Sequence, residues 1–193
     1  MTVIDMHSHF FPESWPDLAQ RFGTPDWPWM KQLGDGKAMV MVGDREFRPV
    51  TAACWDVDVR LADMDRDGID IELLCATPVL FAYQRKPEEA LACAELFNDA
   101  ALELCARGQG RLKALAQVPL QDTDLACRTI ERAMAAGHLG VQIGNHVGDR
   151  DLDDAASSLG SMISEMYGGN QGVGSCWCEP LPLVRYESIV PAR

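Results

Sequence analysis

The chain has no membrane-spanning run: nowhere do about 18 apolar residues follow one another. It has no excess of positive charge. Its 29 acidic side chains outnumber 17 basic ones, for a net of -12 at pH 7. Charge of that sign repels phosphate backbones and anionic lipid surfaces, so neither nucleic acid nor a membrane is expected as partner. No G-x-G-x-x-G follows a strand pattern, which removes the signature of a dinucleotide site. The first residues lack a basic segment followed by an apolar one, so no secretory leader is expected. The seven cysteines are an odd number. Cys54, Cys75, Cys93, Cys105 and Cys127 sit in apolar or helical surroundings, where a free thiol behaves as a small hydrophobe. A reduced, cytoplasmic protein is expected.

What is present begins at residues 3–12, Val-Ile-Asp-Met-His-Ser-His-Phe-Phe-Pro. Val3 to His7 reads as a short buried strand. His7 and His9 are two apart, so extended backbone sends both imidazoles to one side. Two neutral imidazoles make half of a tetrahedral zinc site, and a strand opening a parallel barrel would deliver them to its C-terminal mouth. Without further support, an ordinary pair of histidines explains the motif equally well.

Residues 10–55, punctuated by Pro12, Pro16, Pro25 and Pro28, read as a long irregular insertion. Within it, Trp15 to Phe22 suggests a short helix, and Ala38–Val42 and Glu46–Val50 suggest a hairpin around Gly43-Asp44-Arg45. Asp56 is a good N-cap for a helix with Val59, Leu61, Ala62 and Met64 on its apolar side, ended by Gly68. Ile69–Leu74 reads as a strand. Pro87-Glu88-Glu89 opens a helix reaching about Ala106. Arg111–Val118 is the next strand. Asp122 caps a helix over Leu125–Ala136 that stops at Gly137, Leu139–Ile143 is a fourth strand, and Asp151–Ala156 begins another helix. Alternating strand and helix predicts a parallel sheet, which both a doubly wound sheet and a barrel satisfy. Residues 157–193 hold five glycines and three prolines but no Asp, His or Lys. They read as a poorly ordered, anomalous tail after a first unit over residues 1–156.

Several longer stretches are more specific. They are Ile4 to Pro12, Phe47-Arg-Pro-Val50, Cys54-Trp-Asp56, Cys75-Ala-Thr-Pro-Val79, Leu115 to Asp122, and Ala136 to His146 running to Asp149. Together they resemble the 2-amino-3-carboxymuconate-6-semialdehyde decarboxylase family of the amidohydrolase superfamily, over residues 1 to about 155. The resemblance implies an α/β fold of the (β/α)8 TIM-barrel type, represented by its first four strand–helix units. It implies a zinc-dependent, non-oxidative decarboxylation in tryptophan degradation along the kynurenine route, with zinc or another divalent ion as cofactor. His7 and His9 match the family's paired metal ligands. Arg48 matches an arginine that binds a carboxylate of the small-molecule substrate. The family is homodimeric. Its remaining ligands, a histidine and an aspartate, and its histidine base belong to segments expected after residue 155, where this sequence has neither residue type. Little or no turnover by these 193 residues is therefore expected. A non-catalytic form that binds a full-length partner, or another hydrolase or hydratase of the superfamily, are the alternatives.

Other candidates read as structural. His146 after the fourth strand suits a supporting role near the metal. His138 stands at a helix end, where a cation suits the dipole. Cys176 and Cys178 lack the second pair a metal site needs. Trp55 and Phe47 are expected in the core, and Asp63, Asp65 and Asp67 on a solvated helix face.

Overall fold

The computed structural model of the chain describes residues 1–144, 146–147 and 150–151. Strand β1 (Ile4–Phe10) opens it, followed by helix α1 (Leu18–Phe22) and three strands, β2 (Pro28–Gly34), β3 (Lys37–Val42) and β4 (Arg45–Thr51). Helix α2 (Val57–Asp67), strand β5 (Ile71–Ala76), helix α3 (Pro87–Arg107), strand β6 (Leu112–Ala114) and helix α4 (Thr123–Ala136) come next. A two-residue ribbon of β7 (His146–Val147) and β8 (Arg150–Asp151) closes the described part. Asp151 thus lies in a strand rather than starting a helix; the rest of that expected helix, the 157–193 tail, Cys176 and Cys178 lie outside the described residues.

The parallel sheet has the order β1-β5-β6. Ile4 pairs with Ile71, and Glu72 with Leu112. The 139–143 segment joins β6 on its far side through a parallel bridge between Ala116 and Val141. Leu139 N–H to Ala114 O (2.9 Å) and Gln142 N–H to Ala116 O (2.8 Å) flank that bridge. A helix follows each of the first three parallel strands, and all three helices pack on one side. Phe10, Leu74, Ala76, Leu112 and Ala114 meet Val57, Leu61, Met64, Ala101, Leu104 and Ile130 in one buried core.

The helix boundaries have local causes. The Asp56 side chain accepts from the Asp58 and Val59 N–H groups, and Gly68 ends α2 in the left-handed region. Asp122 caps α4 through Leu125 N–H, with Gly137 closing it. Pro87 stands at the first turn of α3, and Ala90, Cys93, Ala94, Phe97, Ala101 and Leu104 form its buried stripe.

Two expectations change here. The insertion is not irregular: β2, β3 and β4 form an antiparallel meander. Gly34 pairs with Lys37 across Asp35-Gly36, and both loop residues have positive φ (50° and 67°), the conformation a two-residue primed turn demands. Gly43 opens the second turn at φ 58°, where a Cβ would stand 2.5 Å from Asp26 Oδ1. The meander packs Val40, with Phe11, Leu18 and Trp27, against Leu80, Cys93 and Phe97. On α2, Val59 is exposed while Arg60 is buried, because the 3.6-residue period puts Val57, Arg60, Leu61 and Met64 on the inner face.

Phe47 is also exposed rather than in the core, because it sits on the open side of β4. His138 is not a solvated cation at a helix end. It is 5% exposed, its Nδ1 lies 3.2 Å from Ala133 O, and burial lowers its pKa and so favours the neutral ring. Asp63 and Asp67 do lie on a solvated face, paired to Arg66, and Asp65 pairs with Arg111. Among the described residues no helix is long and apolar enough to cross a membrane.

Candidate active site

Alternation along β1 decides which side chains reach the site. Ser8 and Phe10 turn toward the helices, where they meet Arg60 and the buried core. His7 and His9 therefore turn the other way. Their Nε2 atoms stand 3.1 Å apart, with ring planes at 75°. The ring of His9 is oriented from behind: its Nδ1 lies 3.2 Å from the carbonyl oxygen of Cys75 on the neighbouring strand. A carbonyl can only accept, so Nδ1 carries the proton and the Nε2 lone pair faces His7. Burial lowers the pKa of His9, opposed by the Cys75 bond and supported by the nearby charges of His7, Arg48 and Arg60. A neutral, tautomer-fixed imidazole is the form a metal takes.

Both histidines open into a cavity of about 630 Å³. Its apolar wall includes Leu73, Phe81 and Leu115, and its polar groups include Gln142, Tyr83 and His146. The Gly144 N–H donates to the Tyr83 hydroxyl at 3.2 Å, and burial pushes that phenol up to about 12. Cys75 also lines the cavity, but burial and Asp5 push its thiol up to about 12, so it offers no thiolate at neutral pH. A larger cleft of about 730 Å³ lies on the insertion between α1 and β2. It is lined by Glu13, Asp17, Asp26 and Asp44 and by no histidine or cysteine.

Arg48 lies on β4 opposite Val40, exposed, with its guanidinium 5.9 Å from the Phe47 ring centre. Its charge helps lower the pKa of His9 and opposes the rise that burial gives Cys54, but Arg48 is not among the residues that line the cavity of the two histidines. His146 lines the same cavity from β7. Among the described residues, however, no three His, Cys, Asp or Glu side chains come together as a metal cluster.

A further residue at the site is Arg60, 8% exposed on α2. Its guanidinium donates to Ala53 O and His9 O, both at 2.7 Å, to Ser8 Oγ at 3.2 Å, and to Glu72 at 2.8 Å. It ties the histidine strand to the insertion and to β5. An arginine in a helix of alternating charge reads as solvated; the signal for burial is its place between Val57, Leu61 and Met64 on the helix wheel.

Comparison with known proteins agrees with this architecture. A family model described as amidohydrolase matches residues 4–169. A curated relative from Dictyostelium discoideum, named 2-amino-3-carboxymuconate-6-semialdehyde decarboxylase, is 34% identical over 152 residues. That match covers 78% of this chain and 42% of the relative, so the chain spans about two fifths of that protein's length. The structure of 5-carboxyvanillate decarboxylase from Novosphingobium aromaticivorans, complexed with manganese and a nitrobenzoic acid, is 29% identical with a TM-score of 0.53, over 59% of this chain and 33% of that one. Metarhizium anisopliae IDCase, in apo form, gives a TM-score of 0.64 at 19% identity, over 83% of this chain and 48% of that one, a likeness of fold. The shared fold is a TIM-type barrel, and β1, β5, β6 and the 139–143 segment are its opening strands. The chain belongs to the amidohydrolase family.

Proposed function

We propose that the chain carries the metal-binding and carboxylate-gripping part of a non-oxidative decarboxylase of 2-amino-3-carboxymuconate 6-semialdehyde, on the kynurenine route of tryptophan degradation. In this reading the protein is cytoplasmic and its full-length form homodimeric. His7 and His9 are two ligands to a zinc ion, and Arg48 binds a carboxylate of the substrate.

The observation that carries this is the 3.1 Å separation of the two Nε2 atoms at the cavity wall. Two nitrogens bound to one tetrahedral ion at about 2.0–2.1 Å stand about 3.3 Å apart, so the pair fits a metal with almost no adjustment. Bound there, a divalent ion supplies Lewis-acid chemistry and a water acidified toward a pKa of about 7. The protein's own part is to keep that site ready. Burial keeps His9 neutral, and the Cys75 carbonyl holds its tautomer. The Arg48 guanidinium grips a carboxylate through two parallel N–H bonds. Leu73, Phe81 and Leu115 give a conjugated acid an apolar wall. Because no third ligand joins the pair among the described residues, the 193-residue chain alone is expected to turn over little or no substrate.

Metal content tests the reading. The purified chain is incubated with Zn2+ or Mn2+, desalted, and its metal measured by atomic emission, alongside His7→Ala and His9→Ala. Retention by the wild type and loss in both variants is the expected outcome. Equal retention by all three chains would sink the assignment. Absorbance loss of the semialdehyde, with the Dictyostelium relative as positive control, measures turnover.

A further inference from the structure

The cleft on the insertion shares no lining residue with the histidine cavity. It encloses about 730 Å³ beside β2, and three tryptophans form part of its wall. Each indole N–H is already spent inside the protein. Trp15 donates to Pro28 O at 3.0 Å, Trp27 to Thr24 Oγ1 at 2.8 Å, and Trp29 to Gly43 O at 2.7 Å. What the indoles keep for a ligand is ring surface, and Trp29 is 43% exposed. The charged groups of the wall are Glu13, Asp17, Asp26 and Asp44, all of them exposed. Among the described residues none of the four is in an ion pair, and no lysine, arginine or histidine lines the cleft. Carboxylates and ring faces together are what an organic cation binds. The molecule already uses that chemistry on one of these rings. The Arg85 guanidinium lies 4.5 Å from the Trp27 ring centre and donates to Pro25 O at 2.6 Å.

The spacing of the acids narrows the class. Among the described residues no three carboxylates converge as a metal cluster, so a compact divalent ion is a poor match. Asp17 is occupied as the cap of α1, accepting from Gln20 N–H. Gln32 Nε2 donates to Glu13 O at 3.4 Å, which places Glu13 beside Gln32 of β2. Asp26 lies against Gly43, the residue whose carbonyl holds Trp29, and Asp44 follows it. Trp29 and Gln32 stand three residues apart on the strand, about 10 Å. Negative charge thus gathers at two places along β2, with indole faces available beside them. A linear polyamine has the matching form, with ammonium groups separated by methylene runs. It brings donors and no acceptors, whereas a peptide would bring carbonyls that need donors of their own.

We propose that this cleft is a polyamine-binding site, in which ammonium groups pair with Asp26 and Asp44 at one end and Glu13 at the other, and the methylene runs lie on Trp29 and Trp15. The inference goes beyond the proposed function and does not rest on it.

Spermidine is the probe, measured by equilibrium dialysis against the full, metal-free chain at low salt. One site is expected, weakening as salt is raised. Asp26→Asn with Asp44→Asn is expected to lower affinity about tenfold, and Trp29→Leu about threefold. Glu103→Gln with Glu131→Gln removes the same charge from exposed positions on α3 and α4, and should leave affinity unchanged. Equal weakening by the two double variants would mean that net charge alone attracts the ligand, and overturns the site. So does magnesium bound as tightly as spermidine and lost in the same variants, or no spermidine bound at millimolar concentration. A trilysine peptide that binds as tightly as spermidine overturns the polyamine assignment. None of these readouts involves His7 or His9, so this inference and the metal assignment fail separately.

Discussion

The Arg60 guanidinium donates to the carbonyl oxygen of His9 at 2.7 Å, so a helix residue sets the height of a histidine 51 positions earlier. The same group holds Glu72 at 2.8 Å, with both side chains almost wholly buried. Replacing Arg60 by Met leaves the Glu72 charge without its partner. The expected loss is about 3 kcal/mol of unfolding free energy, measured in urea, because breaking a buried pair costs far more than an exposed one. In the double variant with Glu72→Gln the loss should fall well short of the sum of the two singles. Additive losses would show that the two residues do not act as a pair.

Arg48 gives the opposite pattern. It is exposed on β4, so Arg48→Met should leave stability within about 0.5 kcal/mol of wild type. Benzoate affinity of the zinc-loaded chain should nevertheless fall about tenfold, with partial recovery in Arg48→Lys, which keeps the charge and loses the fork. A variant that binds as tightly as wild type would remove Arg48 from the site.

His138 makes the chain acid-sensitive. Its pKa in the fold is lowered from 6.5 by burial. The unfolded chain therefore binds the proton more readily, and stability rises with pH through that window. The contribution is complete above the unfolded value and is lost as pH falls below it. Urea midpoints recorded on the metal-free chain between about pH 5 and 8 should show the drop, and His138→Leu should make it shallower, leaving the part that His9, whose pKa burial also lowers, contributes. An unchanged slope in the variant would exonerate His138.

Thiol labelling reads the core directly. Burial pushes Cys75 and Cys93 up to about 12, and neither reaches solvent freely. Iodoacetamide at mildly alkaline pH should leave both unmodified in the native chain and label both in urea, as mapped by peptide mass spectrometry. Rapid native labelling of Cys93 would mean that α3 is not packed as described.

Much of this was legible in the residues because the signals were local. Asp56 with Gly68, Asp122 with Gly137, and Pro87 with its two glutamates each mark a helix end through a bond the neighbouring backbone makes. His-x-His declares a shared side wherever the backbone is extended. What stayed hidden depended on partners far along the chain. Pro28–Gly34 looks like broken loop until Asp35-Gly36 is read as a tight turn that folds it onto Lys37–Val42. Arg60 is an ordinary helix charge until β1 sets the His9 carbonyl beside it. His138 looks like a helix-end cation until the packing around it closes.

The base of the insertion is pinched shut by one backbone bond, from Phe11 N–H to Cys54 O at 3.0 Å. Its consequence is kinetic. Ile4 must find Ile71 across more than a third of the chain to start the parallel sheet. The meander, whose strands pair with their immediate neighbours, forms on far shorter searches. Once it has formed and its neck has closed, the effective tether between Ile4 and Ile71 shrinks to about 25 residues, easing loop closure by about 0.9 kcal/mol. The excursion thus acts as a built-in matchmaker, presenting β1 to β5 before either has met the rest of the sheet.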